Sequence, residues 1–143
     1  MYIVADVNVI ISSLLTSGDS FNVFALNSLL DKVKFVAPEF LLVELDKHKS
    51  EIKERAKIDT EKFEENLNFV IRQIDFIPDS EFNDKIDKAK KILGKNIKDC
   101  QYLALALKLN CQIFSGDKRF KESCPDKVLN PKEMLAKILF ELK

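Results

Sequence analysis

The chain has one histidine, no tryptophan, three glycines, four prolines and three cysteines in 143 residues. Each scarcity excludes something. A Ser/His/Asp or Cys/His mechanism would have to recruit His48, which falls in a strongly charged helical stretch. Cys100, Cys111 and Cys124 are odd in number and form no CxxC pair, so they fit reduced, partly buried thiols rather than a disulfide framework or a zinc site. No apolar run reaches the roughly 18 residues of a membrane span, and Asp6 and Asn8 interrupt the amino-terminal apolar run where a cleavable signal needs continuity. A cytoplasmic protein with no membrane partner is expected. Formal net charge is zero, with 23 basic and 23 acidic residues, so a nucleic acid would have to be held by local basic patches.

What remains is ordinary globular material, 46% hydrophobic, and long enough as one domain over residues 1–143 to bury roughly two thirds of its unfolded surface. The opening MYIVADVNVII sets its organisation. A short apolar run, Tyr2 to Ala5, reads as a strand buried on both faces, the kind found centrally in a parallel sheet covered by helices. Asp6 ends it. In open α/β sheets the ligand crevice lies outside the carboxyl ends of the strands, but Asp is also a good helix cap, so Asp6 alone supports both readings.

Helices follow at Val9 to Leu15 and Phe21 to Leu30, broken by Gly18, and Lys34 to Ala37 is a second strand. Pro38 suits the first turn of a helix running to about Lys57. Within it, Glu44 interrupts the apolar run Phe40 to Leu45; a carboxylate among so much apolar surface must be paired, metal-bound or turned into a polar cleft. Asp59 to Ile74 reads as an amphipathic helix with Phe63, Leu67, Val70, Ile71 and Ile74 as its stripe, followed by extended Phe76-Ile77-Pro78. Asp79 or Ser80 would cap the next helix, with Phe82, Ile86, Ala89 and Leu93 inward and Gly94 as its stop. Its basic end, residues 88–98, has the pattern of a solvated helix face.

The segment IKDCQYLALALKLNCQIFSGDKRF, residues 97–120, joins a helix with a broad apolar face to a second buried strand, Cys111 to Ser115, and places Asp117 just beyond it. If that strand runs parallel to the first, Asp6 and Asp117 emerge at the same sheet edge. Asp99, in the first turn of the helix that feeds the strand, then begins at that edge too, where the helix dipole favours an anion. A short strand at Lys127 to Leu129 and a helix opened by Pro131, with Met134, Ile138 and Leu142 inward, complete the chain. The fold class is α/β, a three-layer domain with a mostly parallel sheet of four to five short strands flanked by helices.

Connectivity thus gathers Asp6, Glu44, Asp99 and Asp117 with no matching set of cations. Four nearby carboxylates raise one another's pKa unless a cation intervenes, and oxygen donors without His or Cys suit Mg²⁺ or Mn²⁺. Such an ion permits phosphodiester hydrolysis without a histidine base. Asn8 and Ser115 are placed to orient the acids or their waters.

Taken together, Asp6 and Asn8 after the first strand, Glu44 in a helix opened by proline, Asp99 before YLALAL, and SGDKRF after the next strand resemble the PIN-domain nucleases over the whole chain. That family includes the toxin ribonucleases of toxin–antitoxin pairs and ribosomal-RNA processing enzymes. The resemblance implies a metal-dependent endoribonuclease whose metal-binding and catalytic acids are Asp6, Glu44, Asp99 and Asp117, with Ser115 a polar neighbour. A metal-activated water would leave a 5′-phosphate and a 3′-hydroxyl. It further implies a homodimer and, for a toxin, an antitoxin protein covering the acidic crevice. Many relatives carry another acid where this chain has Arg119, which puts a second metal site in doubt. Lys47, His48, Lys49, Lys118, Arg119 and Lys121 are candidate RNA phosphate contacts. Two rivals differ in kind: a non-catalytic PIN-like binding module, and a haloacid-dehalogenase-like phosphatase with Asp6 as nucleophile, which wants an acid where Asn8 stands.

Overall fold

The computed structural model describes residues 1–16 and 18–141, and Leu142, expected on the inner stripe of the last helix, lies outside them. Five parallel strands form one sheet: β1 (Tyr2–Ala5), β2 (Lys34–Pro38), β3 (Ile74–Ile77), β4 (Gln112–Phe114) and β5 (Val128–Leu129), in the order β3-β2-β1-β4-β5. The chain therefore starts in the middle, builds outward to β3, then crosses β1 to lay down β4 and β5. That reversal makes the gap between β1 and β4 the topological switch point, where the carboxyl ends of neighbouring strands part and leave a crevice. Ile3, Val4 and Ala5 are fully buried, as a central strand covered on both faces requires.

The register fixes what lines the crevice. Ala5 pairs with Phe114, so Asp6 and Ser115 follow as the next residues of adjacent strands, and the Asp6 backbone N–H donates to Phe114 O at 3.1 Å. Phe24, Phe35 and Phe114 pack ring against ring below them, with centroids 5.1 to 6.0 Å apart. At the opposite edge buried Asn27 clamps the turn into β2, its Nδ2 donating to Val33 O and its Oδ1 accepting from Val33 N, each at 2.9 Å.

The helices are α1 (Val7–Leu15), α2 (Asp19–Leu30), α3 (Phe40–Ala56), α4 (Thr60–Ile71), α5 (Ile86–Leu93), α6 (Cys100–Leu109), α7 (Lys118–Ser123) and α8 (Pro131–Ala136). Gly94 ends α5 at φ 58°, a backbone that L side chains resist. Asn130 and Glu133 form a reciprocal capping box on α8, with Pro131 in its first turn, and one π-helical turn, Lys137–Glu141, continues it. Among the described residues no single helix is long and apolar enough to cross a membrane.

Four local expectations are corrected. Pro38 is not helical: it ends β2 opposite Ile77, and α3 starts after Glu39. Its missing N–H costs no ladder bond there: pairing with β1 ends at Val36, and the bond to β3 is made by the next residue, Glu39 N–H to Ile77 O at 3.1 Å. Ile74 leaves the α4 stripe and opens β3, since α4 ends at Ile71. Residues Asp79–Glu81 and Asn83–Lys85 form two 3₁₀ turns, and the helix begins only at Ile86. Helix α7 was not foreseen; only Phe120 of its six residues is buried, too little apolar periodicity to read.

Candidate active site

Asp6 occupies the cap position of α1 yet makes no side-chain cap bond. Its Oδ2 instead accepts the Ser115 hydroxyl at 2.8 Å, and the side chain is almost wholly buried. The Asp6 carboxylate is therefore turned toward Ser115 and away from the α1 end, so it does not cap that helix. Burial first, then the charges of Asp99 and Glu44, push its pKa up to about 7, against the pull of the Ser115 hydrogen bond and, more weakly, the Asn8 backbone N–H.

Asn8 closes the crevice floor. Its Oδ1 accepts Gly116 N–H at 3.1 Å and Ser115 Oγ–H at 3.4 Å, while Ser115 Oγ accepts Asp117 N–H at 3.1 Å. The ends of β1 and β4 are thereby laced together by polar side chains. With its amide carbonyl spent on Gly116, Asn8 is no proton donor for a phosphatase.

Asp99 ends a 3₁₀ turn, Ile97–Asp99, and stands at the cap position of α6 rather than within its first turn. It is buried, and its Oδ2 has no hydrogen-bond partner. Burial and the charges of Asp117 and Glu44 push its pKa up to about 6, opposed by Lys98. The Asp99 charge is in turn part of what raises the Asp6 pKa.

Glu44, half-buried on α3, points inward because it shares the helix face of Leu41 and Leu45. Its Oε1 accepts the Tyr102 hydroxyl of α6 at 2.5 Å, a short charge-assisted bond. Neither Lys47 nor His48 takes that place: His48 faces Glu51 at 3.8 Å, Lys49 faces Glu64 at 3.3 Å and Lys47 is exposed. Asp117 is divided. Oδ1 caps α7, accepting Arg119 N–H at 2.9 Å and Phe120 N–H at 3.3 Å, while Oδ2 faces Lys98 Nζ at 3.6 Å. Lys98 is thus a cation inside the acid group, which the sequence had not suggested.

Of the other basic candidates, Lys118 and Arg119 are exposed beside Asp117, whereas Lys121 is engaged, its Nζ 2.7 Å from both Val128 O and Glu133 Oε1. The three cysteines are free thiols; Cys124 is buried and pushed up to about 11, chiefly by burial and the charge of Asp99.

Four features now stand together: a buried Asp6 with a raised pKa; an orphaned Asp99 oxygen; Glu44 and Asp117, whose charges both act on Asp99; and a serine–asparagine lacing between the strand ends. The PIN-domain family model matches residues 4–134, which takes in all four acids. The chain belongs to the PIN-domain family. No curated protein matches it. Among solved structures, a chain in the crystal structure of VapBC2 from Rickettsia felis bound to a DNA fragment from their promoter superposes with a TM-score of 0.61 at 16% identity, over 91% of this chain and 98% of that one. At that identity the likeness shows the fold alone. PIN domains are generally nucleases, and PIN-domain nucleases typically use divalent metals.

The residues fit such an ion in kind. Hard carboxylate oxygens without nitrogen or sulfur suit Mg²⁺ or Mn²⁺, and the buried Asp99 Oδ2 is an acceptor left without a donor. Among the described residues, no three acidic, His or Cys side chains are gathered closely enough to hold an ion as they stand. Asp6, Glu44 and Asp117 each have an oxygen engaged, by Ser115, Tyr102 and Lys98.

Proposed function

We propose that this PIN domain is a metal-dependent endoribonuclease, the toxin of a toxin–antitoxin pair, with Asp6, Glu44, Asp99 and Asp117 as its metal-binding and catalytic acids. The observation that carries the proposal is the Asp99 carboxylate, buried beside like charges with one oxygen unpartnered. Unpaired burial of an anion is costly, and a divalent cation among these acids relieves it. The bound ion would polarise a phosphoryl oxygen and lower the pKa of water to make the nucleophile.

The chain's own residues do the rest. Ser115 orients Asp6 through its hydroxyl, and Asn8 fixes the Gly116 backbone from which Asp117 is presented. Lys118 and Arg119, exposed beside Asp117, would meet phosphates of an RNA strand crossing the crevice, with Lys47 and His48 on the α3 side. Lys121 would first have to leave Glu133. The likeness to a VapBC2 chain supports an antitoxin partner; homodimerisation and a cytoplasmic location belong to the same proposal.

Incubating purified protein with an end-labelled RNA pool in Mg²⁺, Mn²⁺ or EDTA, beside Asp6→Asn and Asp99→Asn, tests the proposal. Metal-dependent cuts that vanish in both variants support it. Folded wild type that binds RNA but leaves it intact in every metal, free of any co-purified inhibitor, would favour the binding module.

A further inference from the structure

Tyr102 ties α6, which Asp99 opens, to α3, which carries Glu44. It lies one turn beyond Asp99 on α6, is 1% exposed, donates to Glu44 Oε1 on α3 at 2.5 Å, and its oxygen is acted on by the Val7 backbone N–H beside Asp6. A buried phenol needs a partner for its hydroxyl, and this one has taken an acid of the site rather than a backbone carbonyl. Burial and the Glu44 hydrogen bond raise the phenol pKa above its ordinary value.

Resting on the metal role proposed above for the acids, we propose that Tyr102 is a positioning residue that confines Glu44 to one ligating oxygen and so biases the site toward small octahedral ions over calcium. Oε1 is committed to the phenol, and among the described residues Oε2 accepts no hydrogen bond. A carboxylate limited to one oxygen suits Mg²⁺ and Mn²⁺, which hold few protein ligands in strict octahedral geometry. Calcium takes about six to eight oxygens in flexible geometry and readily takes a carboxylate through both. Removing the hydroxyl frees Oε1, giving Glu44 the two-oxygen grip that calcium uses. The ring packing survives in Tyr102→Phe, so the change is confined to the donor.

Calorimetric titration of MnCl₂, MgCl₂ and CaCl₂ into the full chain, wild type against Tyr102→Phe, reads this without reference to catalysis. The ratio of calcium to manganese dissociation constants is expected to fall about tenfold in the variant, the scale on which partners of metal ligands act. In Glu44→Gln the same tyrosine change should leave the ratio unmoved. A Tyr102→Phe protein that melts earlier but keeps the wild-type ratio overturns the inference, because a purely structural tyrosine would do only that. Should it fail to fold, Tyr102→Met, which also lacks the hydroxyl, keeps an apolar side chain in the core and leaves Glu44 unchanged, is decided by the same two results. Asp99→Asn separates the two levels: loss of metal binding there with an unmoved Tyr102→Phe ratio sinks only the tyrosine role, whereas undiminished binding there sinks the metal role of the acids as well.

Discussion

Ser115 and Asp6, 109 positions apart in the chain, are joined by a 2.8 Å hydrogen bond across the carboxyl ends of β4 and β1. That bond partly offsets the burial that raises the Asp6 pKa to about 7. In Ser115→Ala the offset is lost and the Asp6 pKa rises further. Because a metal ligand must be deprotonated, the pH at which Mn²⁺ affinity reaches half its plateau moves upward. Titrations of Mn²⁺ at pH 6, 7 and 8 check it; an unmoved profile would show that Ser115 does not act through Asp6.

The two raised carboxylates make the metal-free protein sensitive to pH. A folded-state pKa above the unfolded one contributes stability that is fully present below about 4 and is lost as pH rises, through about 6 for Asp99 and about 7 for Asp6. Asp6→Asn removes that loss while keeping an oxygen for Ser115. At pH 8 in EDTA the variant should unfold at a higher temperature than wild type, and at pH 5 the difference should shrink. The shift from 3.8 to about 7 sets a ceiling of about 4 kcal/mol. A variant less stable than wild type at pH 8 would mean that Asp6 is not held under electrostatic strain.

Lys98, whose side chain is 69% exposed, faces Asp117 at 3.6 Å and would compete with a divalent cation for the same carboxylate under the proposed metal role. Lys98→Gln should tighten Mn²⁺ binding at pH 8 by about threefold, a scale in keeping with an exposed ion pair of ~0.6 kcal/mol. Weaker binding would instead make Lys98 a support of the acid arrangement. Raising the salt should narrow the gap between the two proteins.

Phe114 is fully buried, one residue before Ser115, and packs against Phe24 and Phe35 at centroid distances of 5.7 and 6.0 Å. Phe114→Ala should cost about 3 to 5 kcal/mol in denaturant unfolding, through lost burial and the cavity left behind. A loss below about 1 kcal/mol would show that the sheet end collapses to fill the space.

Much of this was legible in the chain itself, and the rest fails for identifiable reasons. Tyr2 to Ala5 reads as a central strand because its apolar run is unbroken, although Tyr2 itself is exposed, and the parallel pairing of Ala5 with Phe114 meets the condition on which the placing of the acids depended. Asp6, Asp99 and Asp117 could be placed by connectivity alone, since each stands where a strand or helix terminates. Glu44 was visible as a charge inside an apolar run. Tyr102 was not, because YLALAL reads as core; the available signal was a phenol among aliphatic side chains, whose hydroxyl must be satisfied. Lys98 was lost in a basic stretch whose exposed residues look alike, and Pro38 misled because proline is at home both in a first helical turn and at the end of a strand.

The most direct measurement is the chemistry of the cut ends. A homogeneous RNA cleaved by the protein in Mn²⁺, then probed with a 5′-phosphate-dependent exonuclease and by mass spectrometry, should show 5′-phosphate and 3′-hydroxyl termini. No product should form in EDTA or with Asp99→Asn. Termini bearing 5′-hydroxyl and 2′,3′-cyclic phosphate, or cleavage that survives EDTA, would contradict attack by water activated at these four acids.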